Sequence, residues 1–318
     1  MKTLLTLALV SWMLVLSPGC VIAQELVMPA VPITVEARVR DPEGLPVEDA
    51  TVYLALPRYR LGEKNQESSA KTDKEGVATV SGIAQQDYIL SVVKSGYYPT
   101  QGPRHGINDE KSFLQYAVGV QKIDLELRPI LNPIAGIVKR LDRKPFPGFS
   151  EPIGFDLEVG DWVFPHGKGK SSDFIFTLTG YRNSSRDYDL TLTLAFTKEG
   201  DGITLAIYPA DIGSEFKFPY SAPVSGYETK RQWKTAATGN KLSMTFGRND
   251  ETNYIFRIRT ELDEDGSAKK ALYGIIEGEI KFNRTDEAGF NISFRYALNP
   301  DWTRNLEFNP AKTASSPR

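Results

Sequence analysis

Along residues 188–196, Tyr188, Leu190, Leu192, Leu194 and Phe196 alternate with Asp189, Thr191, Thr193 and Ala195. A period of two places one set on a buried face and the other toward solvent, so this segment predicts an amphipathic strand. The same pattern recurs at 33–39, 50–56, 77–80, 88–93 and 120–127. Between these runs stand turn residues. Asp41-Pro42-Glu43-Gly44 combines a preset proline dihedral with a glycine free to take a positive one, and Asp73-Lys74-Glu75-Gly76 repeats the device. Residues 58–69 and 101–112 are polar and predict loops.

Farther along, 173–178 predicts a strand that pairs with 188–196 through the polar turn at 182–186. Residues 203–208 follow a hairpin-like turn at Glu199-Gly200-Asp201-Gly202. Residues 253–262 and 271–282 flank Asp263-Glu264-Asp265-Gly266, a strong hairpin signal, and 289–298 predicts one more strand. No amphipathic helix of ordinary length stands out in this half. The pattern therefore predicts an all-β chain of two β-sandwich-like modules, 32–130 and 131–310. The boundary falls at Arg128-Pro129-Ile130-Leu131-Asn132-Pro133, where two prolines resist a helix or a central strand. A small, polar tail at 311–318 predicts disorder.

The N-terminus departs from this pattern. Lys2 precedes an apolar run over 4–16 broken only by Thr6 and Ser11, and Ser17-Pro18-Gly19-Cys20-Val21-Ile22-Ala23 follows. This order predicts a signal peptide at 1–23, a tether at 24–31 and an exported protein of the periplasm, cell surface or medium. Two processing sites are open. Val21 and Ala23 suit cleavage after Ala23. Gly19 suits acylation of Cys20 as the first mature residue, which would attach the chain to a membrane by its lipid, although Ser17 and Pro18 fit that pattern poorly. The run is shorter than the roughly 20 apolar residues that span a bilayer.

Residues 39–52, with Asp41-Pro42-Glu43-Gly44, Pro46-Val47 and Ala50-Thr51-Val52, resemble the opening of carboxypeptidase regulatory-like domains, which are similar to transthyretin. Thr72-Asp73 with Gly76, then Tyr88, Leu90 and Val92, then Gly96-Tyr97, continue the resemblance over about 32–128. Ala37 stands near the place where that family carries a glycine. The resemblance implies a seven-stranded β-sandwich used as a spacer, stabiliser or docking module, without peptidase activity. Residues 254–260 and 271–274, with Tyr296, Leu298-Asn299-Pro300 and 304–308, resemble the C-terminal region of a group of secreted bacterial proteins to which no activity is attached.

Composition narrows the chemistry. The net charge is −2 with both signs dispersed, so no basic stripe offers a nucleic-acid surface. Cys20 is the single cysteine, which rules out an internal disulfide. His105 and His166 are the only histidines, they fall in different modules, and neither sits in a His-x-x-Glu pair. No metal site, nucleophile site or cofactor is expected. Asp263-Glu264-Asp265-Gly266 lacks the twelve-residue calcium loop and reads as a turn. The glycine-rich stretch at 164–170 lacks phosphate-loop spacing and reads as a mobile connection.

Paired carboxylates among Asp156, Glu158, Asp161, Glu277 and Glu279 would suit a glycoside-type hydrolase, but no spacing singles out two. Glu277 and Glu279 share one strand face, and Arg257 and Arg259 another, which predicts ion pairs across that hairpin. Aromatic rings at predicted loops and strand ends, chiefly Trp162, Tyr208, Tyr227 and Trp233 with Tyr220 and Trp302, are candidates to stack on sugars. The sequence thus predicts a non-catalytic structural or binding protein of a bacterial cell envelope, its partner an envelope protein or polysaccharide. A carbohydrate-binding protein and a two-carboxylate hydrolase are the alternatives.

Overall fold

Alternating apolar residues build the first strand of the computed structural model, β1 (Val31–Arg40), whose Val31, Ile33, Val35, Ala37 and Val39 are all buried. The structure describes residues 31–58, 64–85, 87–106, 119–184, 186–208, 213–244, 252–284 and 289–313. The predicted signal peptide, Cys20 and both processing sites lie outside the described residues. Among the described residues, no helix is long and apolar enough to cross a membrane.

Among the described residues, six more strands belong to the first module: β2 (Thr51–Leu56), β3 (Gln66–Lys71), β4 (Val77–Ala84), β5 (Asp87–Val93), β6 (Thr100–Gly106) and β7 (Val120–Glu126). They form a three-stranded sheet, β4-β1-β7, and a four-stranded sheet, β3-β2-β5-β6. β1 runs antiparallel to β4 and parallel to β7. Between the sheets lies an aliphatic core that includes Val35, Val52, Leu54, Val80, Leu90 and Leu125. Both predicted turns are present. Leu45 N–H donates to Asp41 Oδ1 at 2.8 Å, and Val77 N–H to Asp73 Oδ1 at 2.8 Å. Gly76 has φ +75° and lies against the Val39 carbonyl, so no side chain fits there. Two predicted loops contain strands. β3 and β6 are edge strands, and β3 has almost no buried face to reveal it.

Among the described residues the second module has twelve strands: β8 (Ile134–Phe146), β9 (Pro152–Asp156), β10 (Asp161–Trp162), β11 (Phe174–Ser184), β12 (Asp187–Ala195), β13 (Gly202–Ile207), β14 (Lys230–Thr238), β15 (Lys241–Met244), β16 (Thr252–Leu262), β17 (Ala268–Arg284), β18 (Phe290–Asn299) and β19 (Phe308–Thr313). One sheet has the order β10-β9-β11-β12-β14-β15 and the other β13-β16-β17-β18-β8-β19. The protein is all-β, as the pattern predicts. The β11–β12 and β16–β17 hairpins form where their turns predict them. The turn at 199–202 behaves differently. β12 and β13 belong to different sheets, and Asp201 fastens the crossing by accepting from Arg259 N–H and Thr260 N–H at 3.0 and 2.8 Å. β19 runs to Thr313, so residues 311–313 of the expected tail are strand.

Phe155, Phe174, Phe176, Phe256, Phe294 and Tyr296 dominate the core between these sheets. Many of their rings meet edge to face; Phe174 and Phe256, for example, lie 5.1 Å apart at 82°. A third apolar cluster covers the outer face of the β17–β18 sheet. Phe216, Phe218, Tyr208, Tyr220 and Tyr227 from the long connection after β13 pack there on Ile255, Tyr273, Ile275 and Ala297, together with Leu306 and Phe308.

Tyr98 of the first module joins that third cluster, and polar groups fix the junction. Its hydroxyl donates to Glu307 Oε1 at 2.9 Å. Glu307, 1% exposed, also accepts from Leu131 N–H at 2.8 Å and Asn132 N–H at 2.5 Å. Arg128, 8% exposed, donates to the carbonyls of Phe216 and Phe218 and lies over the Phe216 and Tyr220 rings at 4.8 and 4.9 Å. Two backbone hydrogen bonds, Gln101 N–H to Gly213 O and Glu215 N–H to Pro99 O, add a strand-like seam. The proline-rich segment between the modules is thus held on both sides.

Candidate functional site

The aromatic candidates are mostly interior. Trp162 is 3% exposed, lies edge-on to Phe146 and Phe155, and donates its indole N–H to Pro145 O at 2.9 Å. Trp233 is 2% exposed and donates to Glu279 Oε2 at 2.8 Å. Neither can stack on a sugar, because core side chains enclose both rings. Tyr208 and Tyr227 are half-buried in the cover of the outer face. Burial pushes the Tyr208 hydroxyl up to about 12, against the opposing pull of Arg128, and its ring packs 5.5 Å from Phe218. Tyr227 donates to Pro223 O at 2.9 Å, while the Arg257 guanidinium sits 4.6 Å over its ring. Trp302 remains partly exposed, with Lys270 Nζ 4.0 Å over its ring.

The carboxylates are engaged rather than paired for chemistry. Arg259, at φ +54° in a bulge of β16, donates to both oxygens of Asp173 at 2.7 and 2.9 Å. It also meets Glu158 at 2.7 Å and Asp156 at 3.6 Å. Burial pushes the Asp173 carboxyl up against the pull of Arg259. Burial would likewise raise Asp156, but N–H groups of Val159, Lys170 and Ser171, with Arg259 nearby, outweigh it and hold that carboxyl below the ordinary range. Asp161 binds Lys144 at 2.7 Å and accepts from Lys168 N–H at 2.9 Å.

Residues 164–170 are therefore not a loose connection. Asp156 and Asp161 wind that loop closely around themselves. A Cβ on Gly169 would stand 2.8 Å from Asp156 Cβ, and one on Gly167 would stand 2.4 Å from Trp162 O. The glycines serve close backbone approach.

The ion pairs predicted across the β16–β17 hairpin do not form. Tyr254 faces Ile276 and Arg257 faces Tyr273, which separates the arginines from both glutamates along the strands. Glu277 pairs instead with Arg295 on β18 at 3.1 Å. Glu279 is turned toward the core by the β17 bulge and accepts from Trp233 and from Tyr254, the latter at 2.5 Å.

Among the described residues, a groove of about 910 Å³ lies on the outer face of the β17–β18–β8 sheet. Residues 215–218, Leu306 and Phe308 wall one side; the β17 bulge, Asn253 and Met244 bound the other. Two bulges meet at its floor, on either side of Ser293. In β8, Asp142 and Arg143 are inserted opposite Ser293, with Arg143 at φ +50° and its N–H donating to Ser293 Oγ at 2.9 Å. In β17, Gly278 at φ +73° opens an irregularity between Glu277 and Lys281. Bulges re-aim side chains at the cost of local ladder bonds and gather near functional sites. Here they leave Arg143 and Lys281 beside Ser293. One row away, the register sets Arg140 directly opposite Arg295. Reading the sequence missed this floor, because its charged residues are far apart in the chain and look like ordinary solvated faces.

No family model matches the chain, and no curated protein sequence does. Among solved structures, the chain is similar to a mutant form of the shaft pilin spaA from Lactobacillus rhamnosus GG, with 9% identity and a TM-score of 0.22 over 73% of this chain and 89% of that one. It is also similar to a provisionally assigned carbohydrate binding protein from Bacteroides uniformis, with 12% identity and a TM-score of 0.20 over 84% of this chain and 96% of that one. At these scores neither likeness bears on the function.

Proposed function

We propose that this is an exported, non-catalytic protein of a bacterial cell envelope, in which a regulatory-like first module holds a second, binding module in fixed orientation. The observation that carries this reading is the buried junction. Arg128 and Glu307 are charged groups almost without solvent contact, and each is met by hydrogen-bond partners from across the module boundary. Burying charge in this way is costly unless the geometry is maintained, which favours a single rigid body over two modules on a hinge. The seven strands of the first module in two sheets support membership of the carboxypeptidase regulatory-like group, read here as a spacer. The second module's buried acids support a non-catalytic role, since Asp156, Asp173 and Glu307 are each held by arginine, tyrosine or backbone donors.

Small-angle scattering of the mature chain tests the rigid body. The wild type should fit a single conformation, and Arg128→Ala with Glu307→Gln should broaden the distance distribution while both modules stay folded. A wild type that already needs an ensemble of module orientations would overturn the proposal. Intact mass of the protein recovered from envelope fractions tests export and separates cleavage after Ala23 from acylation of Cys20.

The groove favours a second reading, carbohydrate binding, by a surface other than the aromatic one that the sequence suggests. A half-open groove lined by charged and apolar side chains together suits a segment of polymer more than a fully enclosed small molecule.

A further inference from the structure

We infer that the groove binds an acidic polysaccharide, its carboxylates received by Arg140, Arg143, Lys217 and Lys281. This rests on the binding role proposed for the second module and assigns that role a ligand class.

The first argument is charge left uncompensated by the fold. Arg140 and Arg295 face one another across the β8–β18 ladder. Like charges in directly opposite positions, with Cβ atoms about 5 Å apart, are destabilising. Glu277 on the next strand neutralises Arg295 at 3.1 Å, and Arg140 has no acidic partner among the described residues. The same holds for Arg143, Lys217 and Lys281. Other cations of this module, such as Lys144 with Asp161 and Arg259 with three carboxylates, are compensated within the fold. Acids are present at the groove as well. Of these, Glu277 is paired and Glu279 is bonded to Trp233 and Tyr254, which leaves Asp142 and Glu215 against four unpaired cations.

The second argument is backbone geometry. Two independent bulges, one with a non-glycine residue at positive φ, converge on Ser293 and deliver Arg143 and Lys281 to the same floor. A plain amphipathic sheet face needs neither bulge. The third argument is distribution. The cations lie along two rows and one wall rather than around one point, so they suit charges repeated along a chain better than a single compact anion. Guanidinium groups match planar carboxylates. Ser293 and Asn283 line the same floor and can meet hydroxyls.

The test is affinity electrophoresis and titration calorimetry of the mature chain with polygalacturonate, neutral dextran and polyglutamate, at low and high salt. Polygalacturonate should bind, dextran should not, polyglutamate should bind at least tenfold more weakly, and raising salt should weaken binding. Arg140→Ser with Lys281→Ser should lose at least tenfold in affinity, and the thermal midpoint should stay at the wild-type value because both side chains are exposed. Lys74→Ser with Lys122→Ser, on the first module, should bind as wild type. No binding to polygalacturonate, equal binding by the groove variant, or equal loss in the first-module variant would overturn the inference. Polyglutamate bound as tightly as polygalacturonate would overturn the polysaccharide assignment in favour of an acidic peptide. Failure here leaves the scattering and mass results unaffected, so the two proposals fall separately.

Discussion

The first module and the second are built from the same kind of strand but solve packing differently. β1 runs through ten residues with strict alternation, and the core it enters is aliphatic except for Tyr88. In the second module the core is aromatic, β8, β16 and β17 are each interrupted by a bulge, and a half-buried arginine is ringed by three carboxylates. Regular strands with small side chains pack into a plain support. Wide aromatic cores and bulged strands provide the irregular outer face on which a groove can form. The difference teaches that a smooth aliphatic packing and an irregular, grooved surface are divided between the modules.

Substitutions at the arginine–carboxylate cluster should show this division most strongly. Asp173→Asn leaves Arg259 short of its bidentate partner and should cost about 3 kcal/mol in chemical denaturation, the low end for breaking a buried pair because Arg259 is only half-buried and keeps Glu158. Among its described residues the first module has no equivalent site, and a small loss at Asp173 would break the comparison. Phe174→Ala in the aromatic core should cost about 3–5 kcal/mol, whereas Ile33→Val in the aliphatic core should cost about 0.5–1.5 kcal/mol. Similar losses would show that the two cores are equally tolerant.

Glycines sharpen the comparison at a smaller scale. Gly278→Ala at the groove meets open space and only the strain of a positive φ, about 1–2 kcal/mol. Gly76→Ala adds a clash with the Val39 carbonyl to the same strain and should destabilise more, as thermal midpoints of the two variants would show.

Acid should act next. The Asp156 carboxyl is held below the ordinary aspartate value of about 3.9, so its contribution is present above that pH and is lost as pH falls through the lower folded value. Asp156→Asn should therefore flatten the acid limb of a stability–pH curve. Lys71→Ala, which removes an exposed pair with Asp49 in the first module, should leave the thermal midpoint unmoved.

Much of this was legible locally. The turns at 41–44, 73–76 and 263–266 carry their chemistry in four residues, and β12 shows its buried face by alternation alone. β3 escaped notice because both of its faces are wet, and β8 because the bulge at Arg143 breaks its period. Trp162 and Trp233 looked like surface rings because a residue near a loop is assumed to point outward. Asp156 and Asp161 wind the loop after β10 back around themselves, and β14 turns Trp233 inward.

The candidate groove was not legible at all. Its residues acquire meaning only as neighbours: Arg140 beside Arg295, Arg143 and Lys281 beside Ser293. A period-two pattern tells which face of a strand is buried, and a glycine or proline tells where the chain turns. These are local properties, and they determined an all-β protein. Which strands pair, in what register, and where an extra residue is inserted depend on contacts between distant segments. A shift of one residue exchanges the two faces of a strand. The groove, the ring of carboxylates around Arg259 and the welded junction at Arg128 and Glu307 were decided at that level, because each needs groups from several strands to meet at one place.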